Sequence, residues 1–221
     1  ALAPFVHREL ENRFGSPVIE AYGMTEASHQ MSSNPLPPGE RVPGTVGTST
    51  GVTIAIMDDK RTMLSNGKSG EVVIRGPNVT RGYVNNPTAN SEAFIDGWFR
   101  TGDQGLLGND GYLTLTGRLK ELINRGGEKI SPLEIDSVLL QHNSVTEAVS
   151  FAVPDTKYGE VVHAAVVTTG DTDEDGIRSF CQEHIAAYKV PDKIHFTKNL
   201  PRTATGKIQR RHVAAAFAKV I

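Results

Sequence analysis

Turn signals between residues 52 and 116 set off runs short enough to be strands. Asn66-Gly67, Gly76-Pro77 and Asn109-Asp110-Gly111 separate the runs 52–57, 70–75 and 112–116. Short alternating runs between Gly, Pro and Asn clusters predict a small antiparallel sheet or barrel. Upstream, Phe5, Val6, Leu10 and Phe14 fall at helical spacing, so 4–14 is predicted to be an amphipathic helix. Residues 18–22 form a short apolar strand running into Gly23-Met24-Thr25-Glu26. Four prolines within 32–43 mark a surface loop.

After Gly117 the pattern changes. Ser131-Pro132-Leu133-Glu134 reads as a capping box with Pro at the first helical position, opening a helix to about Gln141. Strands are predicted over 145–153, 161–169 and 193–197, and helices over 173–187 and 210–218. The first of these helices carries Ile177, Phe180, Cys181 and Ile185 on one face. This alternation gives a second α/β unit, with the boundary at 118–120.

Composition removes several classes. With 38% hydrophobic residues in 221, a folded core is expected and wholesale disorder is not. No run reaches the roughly 18 apolar residues that span a bilayer. Cys181 is the single cysteine, which excludes an internal disulfide and suits a reducing compartment. From Ile185 onward eight Lys or Arg face one acid, Asp192, a local charge of +7 in a chain of net −2, so residues 1–184 carry −9. Such a tail suits nucleic acid or small phosphorylated ligands.

Four motifs carry chemistry. Tyr22-Gly23-Met24-Thr25-Glu26 presents a hydroxyl and a carboxylate after a strand, groups suited to a phosphate and to Mg²⁺. Thr101-Gly102-Asp103 reads as a tight turn whose carboxylate can accept both hydroxyls of a ribose, or as a plain hairpin turn. Gly117-Arg118-Leu119-Lys120-Glu121-Leu122-Ile123 and Arg125-Gly126-Gly127-Glu128-Lys129-Ile130 place charge and close-approach glycines at the boundary, or form a linker. Pro201-Arg202-Thr203-Ala204-Thr205-Gly206-Lys207-Ile208 holds a lysine on a loop that can reach an anion. It lacks the Gly and the Ser/Thr of a P-loop, so that class is excluded.

In this order and spacing the four motifs resemble the adenylate-forming superfamily of acyl-CoA synthetases, luciferases and nonribosomal-peptide adenylation domains. The resemblance covers essentially the whole chain but only the last two-fifths or so of such an enzyme. The upstream phosphate loop and most of the acyl pocket are missing, so the chain alone is expected to be inactive. Thr25 to Pro37, Gly76-Pro77-Asn78-Val79-Thr80 and Glu121 to Pro132 are similar to the branch that acts on oxalate, whereas coumarate-type ligases commonly have Gly where Ser28-His29 stand.

The resemblance implies an α/β fold: residues 1–118 end a large AMP-binding domain that includes a small β-barrel-like subdomain, and 119–221 form a mobile lid domain. It implies an AMP-forming acid–CoA ligase using ATP, CoA and Mg²⁺ on a small carboxylic acid, with oxalate first and another small, aromatic or fatty acid as the alternative. By carry-over Tyr22 packs on adenine, Thr25 contacts phosphate, Glu26 holds Mg²⁺, Asp103 binds the ribose and Arg118 reaches the ribose-phosphate. Lys207 is the adenylation lysine, Lys120 the hinge, and Gly126 and Gly127 line the CoA tunnel. His29 is expected to read the second carboxylate of oxalate, or else to cap its loop. A basic nucleic-acid module would explain the tail but leave these motifs unexplained. The start at Ala1-Leu2-Ala3-Pro4 shows no signal peptide, and the end at Lys219-Val220-Ile221 shows no Ser-Lys-Leu-type address. A cytoplasmic setting is therefore expected, or a peroxisomal one if an address was trimmed.

Overall fold

The computed structural model describes residues 2, 4–204 and 206–218. Thr205 of the lysine loop, Lys219 of the basic tail and both chain ends lie outside the described residues. The chain divides into two compact units, Ala1–Leu119 and Lys120–Ile221.

In the first unit, helix α1 (Pro4–Phe14) precedes β1 (Ala21–Met24), β2 (His29–Ser33) and β3 (Thr48–Ser49), an antiparallel sheet in that order. The first strand starts at Ala21 and not at Val18. The amide of Val18 donates to Glu11 Oε1 (2.9 Å) and its carbonyl meets His7 Nε2 (3.1 Å), so that segment is docked on α1 instead of pairing. The strand reaches further than the sequence suggests, with Gly23 opposite Gln30 and Met24 opposite His29.

A second antiparallel sheet comprises β4 (Thr53–Met57), β5 (Ser69–Arg75), β6 (Phe94–Ile95), β7 (Trp98–Leu107) and β8 (Leu113–Arg118). Its order is β4-β5-β7-β6, with β8 also on β7. Among the named strands β4 pairs with β5 alone, so of the two forms the turn signals allow, sheet or barrel, these strands make the open sheet. Tyr22, Met31, Ile56, Val72, Ile74, Phe99 and Leu113 form one core across both sheets.

Thr101-Gly102-Asp103 is not a turn. It lies within β7, where Val73 faces Arg100 and Glu71 faces Gln104. Three residues therefore stand opposite Val72, a bulge that re-aims the Asp103 side chain. Helix α2 (Pro87–Ala93) was not predicted. It carries no large apolar side chain and no buried residue, so it has no apolar stripe to read; Asn86 caps it, accepting the Ala89 amide (3.1 Å).

The second unit is a sheet ordered β10 (Glu128–Ile130), β9 (Ile123–Arg125), β12 (Gly159–Thr168), β11 (Val145–Asp155), with β13 (Lys193–Phe196) parallel to β12. Strict alternation splits its side chains. Val162, Ala164 and Val166 pack with Ile135 and Leu139 of α3 (Pro132–Leu139) and Ile177 and Cys181 of α4 (Glu174–His184). Phe151, Val153 and Ala165 pack on the other face with Val213 of α5 (Arg210–Phe217).

Two details differ from the sequence reading. Ser131 makes no side-chain cap, and Glu134, the other half of the expected box, pairs with Lys189 (2.7 Å). Helix α4 stops at His184, since Ile185 is already extended. Much of the basic tail is neutralised within its own unit: Lys189 by Glu134, Arg202 by Glu147, and Arg210 by Glu121 and Asp136. Among the described residues no helix is long and apolar enough to cross a membrane.

Candidate functional site

The first unit gathers three of the predicted residues. Tyr22, 8% exposed on β1, donates its hydroxyl to Asp103 Oδ2 (2.5 Å). Arg118, at the end of β8, places Nε 3.0 Å from the other carboxylate oxygen. Asp103 is 6% exposed and the Arg118 side chain 66%, so a buried carboxylate is paired with a largely solvent-facing cation. Burial, and then the charge of Asp103, raise the Tyr22 phenol far above its usual range, so it stays protonated and keeps its proton to donate. Each carboxylate oxygen has two lone pairs, so one on each remains for a sugar hydroxyl. Tyr22 also lines a cleft of about 380 Å³ with Glu20, Ala21, Gly23, Val46 and Leu115. That volume lies at the low end for small-molecule sites, roughly 300–1,000 Å³.

Thr25, Glu26 and Ala27 form a 3₁₀ turn between β1 and β2. Ser28 (φ 52°) and His29 (φ 85°) follow, two consecutive non-glycine residues in the left-handed region. Such residues persist where their surroundings over-determine them. Here the segment 76–83 does so: Ser28 Oγ donates to the Asn78 carbonyl (3.0 Å), Asn78 Nδ2 to the Ala27 carbonyl (2.8 Å) and the Thr80 amide to the Glu26 carbonyl (2.6 Å). Gly23 is required on the other side, since a Cβ there would lie 1.9 Å from the His29 carbonyl oxygen. His29 itself is exposed.

Glu26 accepts the Tyr83 hydroxyl on Oε1 (2.9 Å) and makes no ion pair among the described residues. Burial, and then this bond, raise the Tyr83 phenol. No cluster of three or more His, Cys, Asp or Glu suited to a metal occurs among the described residues. A single half-buried carboxylate without a cation fits Mg²⁺, which keeps waters and substrate phosphates as its other ligands.

In the second unit, Lys207 sits exposed on a loop closed by the Arg202–Ile208 bridge. Its amide donates to Thr203 Oγ1 (3.1 Å), and Arg202 ties the loop to Glu147 of β11 (2.8 Å). Gly126 (φ 59°) and Gly127 (φ 94°) form the β9–β10 turn, both left-handed, as only glycine adopts readily. The Gly126 amide donates to the Tyr158 carbonyl (2.8 Å), and the Tyr158 ring lies under Arg125 and Lys157. Lys120 is exposed in the 3₁₀ turn Leu119–Glu121.

Sequence reasoning missed Tyr83, Asn78 and Asn90 as parts of the site. Asn78 and Thr80 stood in a run singled out for likeness alone. Nothing local ties Tyr83 to Glu26, 57 residues earlier.

Residues 1–84 match the AMP-binding enzyme family, and residues 134–207 match the AMP-binding enzyme C-terminal domain. The chain belongs to the AMP-binding enzyme family. It is 57% identical over 99% of its length to an oxalate–CoA ligase of Saccharomyces cerevisiae, of which it covers 41%. Among solved structures it resembles ATP-bound MatB from Rhodopseudomonas palustris, with a TM-score of 0.93 and 34% identity over 99% of this chain and 44% of that one. It also resembles o-succinylbenzoate-CoA synthetase from Bacillus subtilis in complex with ATP and magnesium ion, with a TM-score of 0.84 and 36% identity over 96% of this chain and 44% of that one. The chain thus spans about two-fifths of the length of these family members.

Proposed function

We propose that this chain is part of an ATP-dependent, AMP-forming ligase that joins oxalate to CoA. The observation that carries the reading is the 57% identity to an oxalate–CoA ligase along 99% of the chain. In the first half-reaction a carboxylate oxygen of the acid attacks the α-phosphorus of ATP, expelling pyrophosphate and leaving the acyl-adenylate. In the second, the CoA sulfur attacks the acyl carbon and AMP departs.

Tyr22 and its cleft would take the adenine, and Asp103, primed by the Tyr22 hydroxyl, the ribose. Arg118 is free enough to reach the sugar-phosphate. Thr25, at the head of the 3₁₀ turn, donates to phosphate. Glu26 is the residue that would hold Mg²⁺, which when bound neutralises phosphate charge. Lys207 supplies positive charge where the acid and the α-phosphate converge, the kind of preorganised stabilisation that costs little reorganisation. Lys120 is the proposed hinge: it carries Lys207 away after adenylation and brings the Gly126-Gly127 turn to the thiol. His29 would donate to the distal carboxylate of oxalate. A cytoplasmic setting suits the lone buried thiol of Cys181, which burial pushes up to about 11 and so keeps inert.

The test is AMP release by the full-length enzyme over a panel of acids. Oxalate should give the highest kcat/KM and form one AMP per oxalyl thioester. A preference for an aromatic or fatty acid would contradict the substrate, and release of ADP would contradict the chemistry.

A further inference from the structure

The bond from Tyr83 to Glu26 is the end of a longer chain of contacts. Tyr83 lies between β5 and α2, and nothing in its own loop fixes it. Asn90 of α2 does so from both sides: its Oδ1 accepts the Tyr83 amide (2.7 Å) and its Nδ2 donates to the Tyr83 carbonyl (2.9 Å). Asn86, with Pro87 behind it, caps α2 and so fixes the helix that carries Asn90. From this anchored backbone the Tyr83 hydroxyl reaches Glu26 Oε1, while the Thr80 amide holds the Glu26 carbonyl (2.6 Å). Main chain and side chain of Glu26 are thus both set by 80–83, on a half-buried turn that leads into two left-handed residues.

We infer that Tyr83, clamped by Asn90, is a positioning residue: it fixes the rotamer of Glu26 so that the other carboxylate oxygen faces the phosphate-bound cation. The inference rests on the proposed role of Glu26. A carboxylate ligand held by a hydroxyl on one oxygen presents the second in one orientation, and such outer partners commonly govern metal affinity. A flexible glutamate would have to lose its side-chain freedom at the moment of binding. Helix α2, which buries no residue fully, then serves to hold Asn90 in place.

The test is calorimetric titration of the full-length enzyme with ATP, once in EDTA and once with Mg²⁺, and no acid present. In Tyr83→Phe the affinity for metal-free ATP should stay within about twofold of wild type. The tightening added by Mg²⁺ should fall by about 10- to 100-fold. Asn90→Asp, which loses one arm of the clamp and leaves the phenol and Glu26 intact, should show the same split at smaller size. Loss of both affinities together, or an undiminished Mg²⁺ gain in Tyr83→Phe beside a Glu26→Gln enzyme that has lost it, overturns the inference. An undiminished gain in Glu26→Gln overturns the role of Glu26 itself.

Discussion

In the proposed reaction His29 is the residue on which the choice of acid turns. Activating one end of oxalate leaves the other carboxylate charged, and a charge carried into a closing pocket needs a donor. The structure holds the His29 backbone in an uncommon left-handed conformation, braced by the Asn78 segment and by the close approach of Gly23, while its ring stays exposed. A loop fixed so tightly around a solvent-facing imidazole suits a substrate contact better than a cap. His29→Ala should therefore lower kcat/KM for oxalate by roughly 10- to 150-fold more than for acetate, the span of one hydrogen bond to a charged group. An equal loss on both acids, read from kcat/KM for each, would assign His29 to the loop instead.

At the scale of elements, the second unit carries a buried pair that the sequence does not announce. His163 on β12 and His195 on β13 touch, Nδ1 to Nε2, at 3.1 Å, beneath Phe151 and Phe217. Burial lowers both imidazoles below the usual 6.5; Asp192 and Glu174 oppose the shift at His163, and Lys193 adds to it. Between the lowered folded value and 6.5 the unfolded chain binds protons that the folded one refuses. Stability is then complete above about pH 6.5 and drains away as pH falls below it. The melting temperature of the second unit should drop between pH 7 and pH 5, and a His195→Asn variant should flatten that slope. A melting temperature that rises on acidification would contradict the assignment.

Legibility followed the same physics. Strands β11 and β12 announce themselves as apolar runs buried on both faces, and helix α4 by an apolar stripe of helical period. The bulge that aims Asp103 does not, because its cause is the count of residues on the neighbouring strand. Nor does Arg210, read only as part of a basic tail, yet bound to Glu121, 89 residues away, and to Asp136, which in turn accepts the Ser150 amide and hydroxyl. The motif residues Tyr22, Asp103 and Arg118 could be named from sequence; the hydrogen bonds joining them, and the Asn90–Tyr83–Glu26 series, needed the fold.

At the scale of the whole molecule, the proposed ligase needs one unit to give two different faces to two half-reactions. Lys207 and the Gly126-Gly127 turn lie on separate loops of the second unit, the first after β13 and the second between β9 and β10. A rigid unit that presents them in alternation needs Lys207 for adenylation alone. The direct measurement is the rate of each half-reaction in full-length Lys207→Ala: pyrophosphate release from ATP and oxalate, and thioester formation from pre-formed oxalyl-adenylate and CoA. Adenylation should slow by roughly two to three orders of magnitude, the scale of one lost transition-state donor, and thioester formation should hold its wild-type rate. Equal losses in the two steps would contradict the alternation of faces, and an unimpaired adenylation rate would remove Lys207 from the chemistry.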